Sequence, residues 1–259
     1  MSAPPRIFVA EPLVSGRIVA LPAQATRHVQ VLRLQPGSSV TLFNGDDGAD
    51  WPSEIVSIGR SRVEVRLGAP VAIERELACH VTLAVGVPAN DRMDALVEKA
   101  GELGAAAIQP LVSARSVVRL AGERAGARRR HWQAVAAAAS EQCGRARVAE
   151  VLPIATLAAW LAAHGGGELV RRFVLSIDSS ARDAADALGT ESDPRGGRIV
   201  VLSGPEGGLD PGEEGAAVEC GFVRVNLGPR TLRADTAPLA WLAWFAVRGR
   251  ADLRAPSAS

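Results

Sequence analysis

The sequence predicts an α/β protein in two parts: a small N-terminal β-barrel, then a larger domain built on a parallel sheet. Three observations carry this. Up to about residue 70, short β-branched runs are separated by Gly, Pro, Asn or Asp. From residue 80 onward, apolar strands alternate with helical segments. The chain has 259 residues, 47% hydrophobic and 22% charged, which suits one or two globular domains.

Taken in order, "RIFV", "GRIVAL", "SSVTLFNG", "WPSEIVSIG" and "RVEVRLG" each read as a strand, so the first 70 residues are expected to be all-β. "SRVEVRL" alternates polar and apolar, as a half-exposed strand does. After "IERELA" the pattern changes. "HVTLAVGV" is a buried strand, and "NDRMDALVEKAGELG" a helix with Met93, Leu96, Val97, Ala100 and Leu103 on one face and Gly104 as its stop. "AAIQPLV" is the next strand. Residues 128–143 read as an alanine-rich helix with arginines at its start, where the macrodipole disfavours cations. "TLAAWLAAHGGG" is a helix with a glycine stop. "RFVLSID", "RIVVLSG" and "FVRVNLG" are strands, and "DTAPLAWLAWFAVRG" is a final amphipathic helix. Residues 179–197 are polar and glycine-rich and are expected to form a surface loop. Strand–helix alternation predicts a parallel sheet covered on both faces.

Several function classes have no support. No apolar run approaches the ~20 residues of a membrane helix, and the N-terminus carries no signal-peptide pattern. Cys79, Cys143 and Cys220 are far apart, with neither zinc nor disulfide spacing, so a cytoplasmic protein without a metal is expected. GxGxxG after a strand, GxxxxGK[ST], HExxH and GxSxG are all absent. Net charge is +1, but residues 115–147 hold eight arginines against Glu123 and Glu141.

The chemistry concentrates in "VLSGPEGGLDPGEE", residues 201–214. A buried strand ends at Leu202, a glycine loop follows, and Asp210, Pro211 and Glu213 form a helix start with a capping box. Glycines there let a ligand meet bare backbone N–H groups. A second such loop, "LGPRTLRADTA", spans 227–237. If the two leave neighbouring strands, they form the walls of a crevice at the carboxyl ends of the sheet.

This pairing resembles the SPOUT superfamily of methyltransferases, and within it the family that methylates N3 of a uridine in 16S ribosomal RNA. Other segments agree in family order: "PRIFV", "HVQVLRLQPG" (28–37), "DRMDALVEKAGELG" (91–104), "AAIQPLVSARSVV" (106–118) and "WQAVAAAASEQCGR" (132–145). The resemblance covers nearly the whole chain. It implies a PUA-like β-barrel that helps hold RNA (1–74) and a SPOUT domain (75–259) with a deep C-terminal trefoil knot. It further implies S-adenosylmethionine bound against the two glycine loops, and a homodimer. Two departures stand out: Asp235 where relatives often carry Glu, and "VLSIDSSA" where they often carry a stretch like "NLHPR".

On this reading Leu202, Gly204, Pro205, Glu206, Gly207, Gly208, Leu227, Gly228 and Leu232 contact the cofactor, with the leucines walling the adenine and the prolines stiffening the loops. Methylating an imide nitrogen requires loss of its proton and stabilisation of charge on the flanking carbonyls. Arg233 and Arg230 are candidates for the charge. Glu206 or Asp235 would take the proton; an ion pair with a loop arginine is the alternative for either acid. Arg6, His28, Arg33, Arg128, Arg129, Arg130 and Arg145 are candidates for RNA contact, with plain surface charge as the alternative. The sequence also leaves open a ribose 2′-O-methyltransferase of the same fold, or a non-catalytic RNA-binding assembly factor.

Overall fold

The apolar runs become strands of two separate sheets. A computed structural model describes residues 4–89, 92–117, 122–164, 170–188 and 197–252, with side chains as far as 247. The chain divides into two units, residues 1–76 with 137–148, and 77–136 with 149–259.

In the first unit the strands are β1 (Arg6–Phe8), β2 (Ile18–Ala20), β3 (Ser39–Phe43), β4 (Ala49–Ile58), β5 (Val63–Leu67) and β6 (Val71–Ala72). They run in the order β1-β3-β4-β5-β2, with β6 on β4. Only β1 and β3 pair in parallel. Ile7, Val9, Val40, Leu42, Trp51, Ile55, Val63 and Val65 fill one core.

The expected all-β character fails at one element, helix α1 (Ala23–Val31). "HVQVLRL" alternates like a strand, but Pro22 at the N-cap ends the preceding extended segment, and Thr26 Oγ1 donates to the Leu21 carbonyl. Ala25, Thr26 and Val29 are buried at helical spacing against the core, so tertiary burial overrides β propensity. Helix α1 ends at Leu32, and Arg33 follows in the left-handed region (φ 53°).

The second unit opens with β7 (His80–Gly86), α2 (Arg92–Glu102) and β8 (Ala107–Val112), and then α3 (Gly122–Cys143). Next come β9 (Glu150–Val151), β10 (Ala155–Thr156), α4 (Leu157–His164) and β11 (Val170–Leu175). It closes with β12 (Arg182–Asp183), α5 (Ala184–Leu188), β13 (Arg198–Ser203), α6 (Pro211–Glu219), β14 (Val223–Asn226) and α7 (Thr236–Asp252). The last residues of α3, from Ala137, pack with the first unit.

Every ladder here is parallel, in the order β10-β8-β7-β13-β11-β14-β12, with β9 on β8. Val81, Leu83, Ala84, Val85, Ile199, Val201 and Leu202 are all buried, as a sheet covered on both faces demands. Helices α4 and α6 touch each other, as do α2 and α7. Trp160, Leu161, Ala217 and Phe222 pack with Ala84, Val174 and Leu202, while Trp241 meets Phe173.

Two further expectations are corrected. Helix α3 begins at Gly122, so Arg128–Arg130 lie in its second and third turns rather than at its start. The dipole effect fades within the first turn, and it makes no case for a partner there. The segment expected as a loop over 179–197 contains β12 and α5, because Arg182 and Asp183 pair with Val225 and Asn226, and Ala184 and Leu188 are buried. Residues 189–196 lie outside the described residues. The helix start at Asp210 forms as expected: its carboxylate accepts from the Glu213 N–H (2.8 Å), and Glu213 accepts from the Asp210 N–H (3.1 Å).

Candidate functional site

Because all strands of the second sheet are parallel, the loops after β7, β8, β11, β13 and β14 emerge at one edge, the carboxyl end. The two glycine loops do not leave neighbouring strands, as the sequence suggests. β11 lies between β13 and β14, so loop 176–181 emerges between them.

The loop after β13 is built by close approach. A Cβ on Gly204 would lie 2.6 Å from the Leu209 nitrogen and 2.7 Å from the Gly208 carbonyl carbon. A Cβ on Gly86, at the end of β7, would lie 2.5 Å from Pro205. Only glycine fits either position without moving backbone. Gly208 (φ +69°) and Gly228 (φ +93°) need the left-handed region, and a Cβ on either would meet nothing within 4 Å. Both loops therefore present bare, open backbone.

Polar contacts brace the same loop from two sides. Glu206 Oε1 accepts from the Ala89 N–H (2.9 Å) and faces Arg92 Nη1 at 3.4 Å. Arg115 Nη1 donates to the Gly207 carbonyl (2.9 Å), and the Ala114 N–H donates to Glu213 Oε1 (2.7 Å). Arg92 and Arg115 were not singled out in the sequence; they sit inside matched segments without a spacing signal of their own.

Loop 176–181 is fixed at both ends. Ser176 Oγ donates to Glu214 Oε1 (2.9 Å), which also receives Arg224 Nε (2.6 Å), and Asn226 Nδ2 donates to the Ala181 carbonyl (3.0 Å). Within it, the Ser180 hydroxyl and N–H both donate to Asp178, holding that carboxyl below its ordinary range. Ile177 is left 84% exposed between the two glycine loops.

The other candidates separate clearly. Leu202 and Pro205 are buried, Leu227 and Leu232 half-buried. Arg230 and Arg233 are exposed and make no ion pair among the described residues. The Arg233 carbonyl accepts from the N–H groups of Thr236 and Ala237, opening α7. Asp235 Oδ1 and the Ser203 hydroxyl are buried with no hydrogen-bond partner among the described residues. A buried acceptor left unpaired is costly, and a ligand is one way to satisfy it.

In the first unit, Arg6 is not on an open surface. It pairs with Asp50, donates to the Arg145 carbonyl (2.9 Å) and lies over the Phe43 ring. Arg145 is 4% exposed at its side chain and bonds Glu76 with two nitrogens. Both arginines thus hold the unit together instead of facing phosphate. Arg6→Ala would strand Asp50 and is expected to lower unfolding free energy by about 3 kcal/mol, measured by urea denaturation. His28 is half-buried and Arg33 exposed. In the second unit Arg129 Nε donates to the Val151 carbonyl (2.7 Å), while Arg128 and Arg130 are exposed.

Among the described residues no group of three or more His, Cys, Asp or Glu could hold a metal ion, and no helix is long and apolar enough to cross a membrane.

A family model for an RNA methyltransferase domain matches residues 75–246, and one for an RNA methyltransferase PUA domain matches 21–68. The chain is 31% identical to ribosomal RNA small subunit methyltransferase E of Bacillus subtilis over 220 residues, 82% of each chain. It is 29% identical to the Synechocystis protein of the same name, covering 92% of this chain and 76% of that one. Among solved structures, ribosomal RNA small subunit methyltransferase E from Neisseria gonorrhoeae, bound to S-adenosyl methionine, aligns with TM-score 0.84 and 35% identity, covering 95% and 98% of the two chains. A putative methyltransferase from Legionella pneumophila with bound cofactor aligns with TM-score 0.86 and 27% identity, covering 95% and 98%.

Proposed function

We infer a function from the premise that this chain belongs to the RNA methyltransferase family, alongside the ribosomal RNA small subunit methyltransferase E proteins. It is an S-adenosylmethionine-dependent methyltransferase of 16S ribosomal RNA. The atom methylated, on our reading, is N3 of one uridine. The paired glycine loops at the carboxyl edge of the parallel sheet support the cofactor site, and the choice of N3 rests on the resemblance to the uridine-N3 family.

Bare backbone at Gly208 and Gly228, with no Cβ neighbour, fits a ligand lying against both loops. Leu202, Gly204, Pro205, Gly207, Leu227 and Leu232 complete those walls. When bound, adenosylmethionine supplies an electrophilic methyl group on a good leaving group. The protein's part is to position the base, receive its proton and steady its charge. Glu206 is occupied in bracing its own loop. Asp235, whose Oδ1 is buried and unpaired, is therefore our proton acceptor for N3–H. Arg230 and Arg233, on the same loop, would stabilise charge on the flanking carbonyl oxygens.

RNA would be held in the first unit by His28 and Arg33, with Arg27 and Arg60 also exposed there. Gln30 of α1 donates to the Gly59 and Arg60 carbonyls, bringing the two basic segments together. We further propose a trefoil knot, which the insertion of late strand β13 between β7 and β11 supports. A cytoplasmic homodimer using α7, where Val247 is 74% exposed, completes the reading.

Mass mapping of 16S rRNA from cells lacking the protein, with and without add-back, tests the reaction. Loss and restoration of one 3-methyluridine is expected; a lost ribose 2′-O-methyl group would replace this reading with the other chemistry.

A further inference from the structure

Helix α3 carries a cationic cleft remote in sequence from both glycine loops. Arg124, Arg128 and His131 are spaced at i, i+4 and i+7, so they share one helix face. With Ala127 they border a shallow, open depression on the helix surface. Neither arginine makes an ion pair or a side-chain hydrogen bond among the described residues, and no carboxylate lines the cleft. The one acid against this face is Asp94 of α2, at the His131 end: Oδ2 accepts from His131 Nε2 (2.7 Å) and Oδ1 from Trp132 Nε1 (3.0 Å). Asp94 thereby holds the imidazole in place, while Arg124 and Arg128 make no ion pair with it. Arg129 points away, tied to the Val151 carbonyl.

We propose that the Arg124–Arg128–His131 cleft of α3 binds a phosphodiester of the RNA substrate, giving the methyltransferase unit an RNA contact of its own. Guanidinium groups suit this ligand, since their fork matches two phosphate oxygens. His131, held by Asp94, would border the anion and limit its approach to the arginine side. The proposal rests on the RNA-methyltransferase reading, and adds a backbone contact that fixes register without reading sequence.

The test uses the full chain and a 16S rRNA transcript, titrated at several salt concentrations. Arg124→Gln with Arg128→Gln is compared with wild type and with the Arg124→Lys, Arg128→Lys pair. The glutamine pair is expected to bind RNA at least tenfold more weakly at low salt. The slope of log affinity against log salt should fall by about 0.7 to 0.9, the value for one phosphate. The lysine pair should recover most of the slope, as retained charge requires. Adenosylmethionine affinity and sedimentation coefficient should match wild type for both. Unchanged RNA affinity and slope in the glutamine pair overturn the proposal. So does a changed sedimentation coefficient with RNA affinity unmoved, which would make the cleft a contact between copies. If wild type itself binds no RNA and methylates none, the functional reading fails first; if wild type does both and the glutamine pair matches it, only this site fails.

Discussion

Gly204→Ala is expected to lower adenosylmethionine affinity about 10- to 100-fold. The added methyl would sit 2.6 Å from one backbone atom and 2.7 Å from another, both belonging to the turn that closes the loop. Backbone cannot rotate away as a side-chain tip can, so the loop must open. Overpacking of this kind costs about 1–3 kcal/mol, and each 1.4 is tenfold in affinity. Gly86→Ala should act alike from the neighbouring strand, since its methyl would press on Pro205. Gly215→Ala is the control: it lies on α6 with open space around it, and should leave affinity within about twofold. Titration calorimetry on the three variants decides the matter, and wild-type affinity in Gly204→Ala would place the cofactor elsewhere.

Asp235→Asn is expected to lower kcat about 100- to 10,000-fold, the range for loss of a positioned proton acceptor. KM for RNA and affinity for adenosylmethionine should change little, because an amide keeps the shape of the carboxylate. Asp235→Glu should recover a substantial part of kcat, since the longer acid keeps a carboxylate within one methylene of the same place. A merely structural Asp235 would show the opposite split, with stability reduced and kcat per folded molecule retained. Single-turnover methylation, with thermal unfolding of each variant, separates the two.

Much of the fold is legible in the sequence because its signals are local. The strand at 198–203, the glycine turn and the capping box at Asp210 lie within one short window, and each depends on its own residues. Helix α1 is not legible in this way. Its "HVQVLRL" alternates like a strand, and only the core that receives Ala25 and Val29 decides for helix. The same holds for the site. Backbone freedom at Gly204, Gly207 and Gly208 can be read from composition. Strand order cannot, and it is strand order that puts the loop at Ile177 between the two glycine loops. The bracing role of Glu206 depends on Ala89 and Arg92, more than a hundred residues away in the chain, and no local pattern carries it.

The split composition of the first unit sets a timetable for synthesis. The Phe8 N–H donates to Glu141 (2.7 Å), Arg75 donates to the Gly144 carbonyl (2.6 Å), and the Val148 N–H donates to the Gly45 carbonyl (3.1 Å). Glu141, Gly144 and Val148 do not yet exist when residue 76 leaves the ribosome. At roughly 5–20 residues per second, residues 77–148 take about 4 to 14 s to follow. Throughout that interval β1 is an edge strand with Phe8 uncovered, a template for pairing with another nascent chain. A chaperone that shelters polypeptide during those seconds would protect the first unit more than the second. A fragment ending at residue 76 would keep that vulnerability permanently.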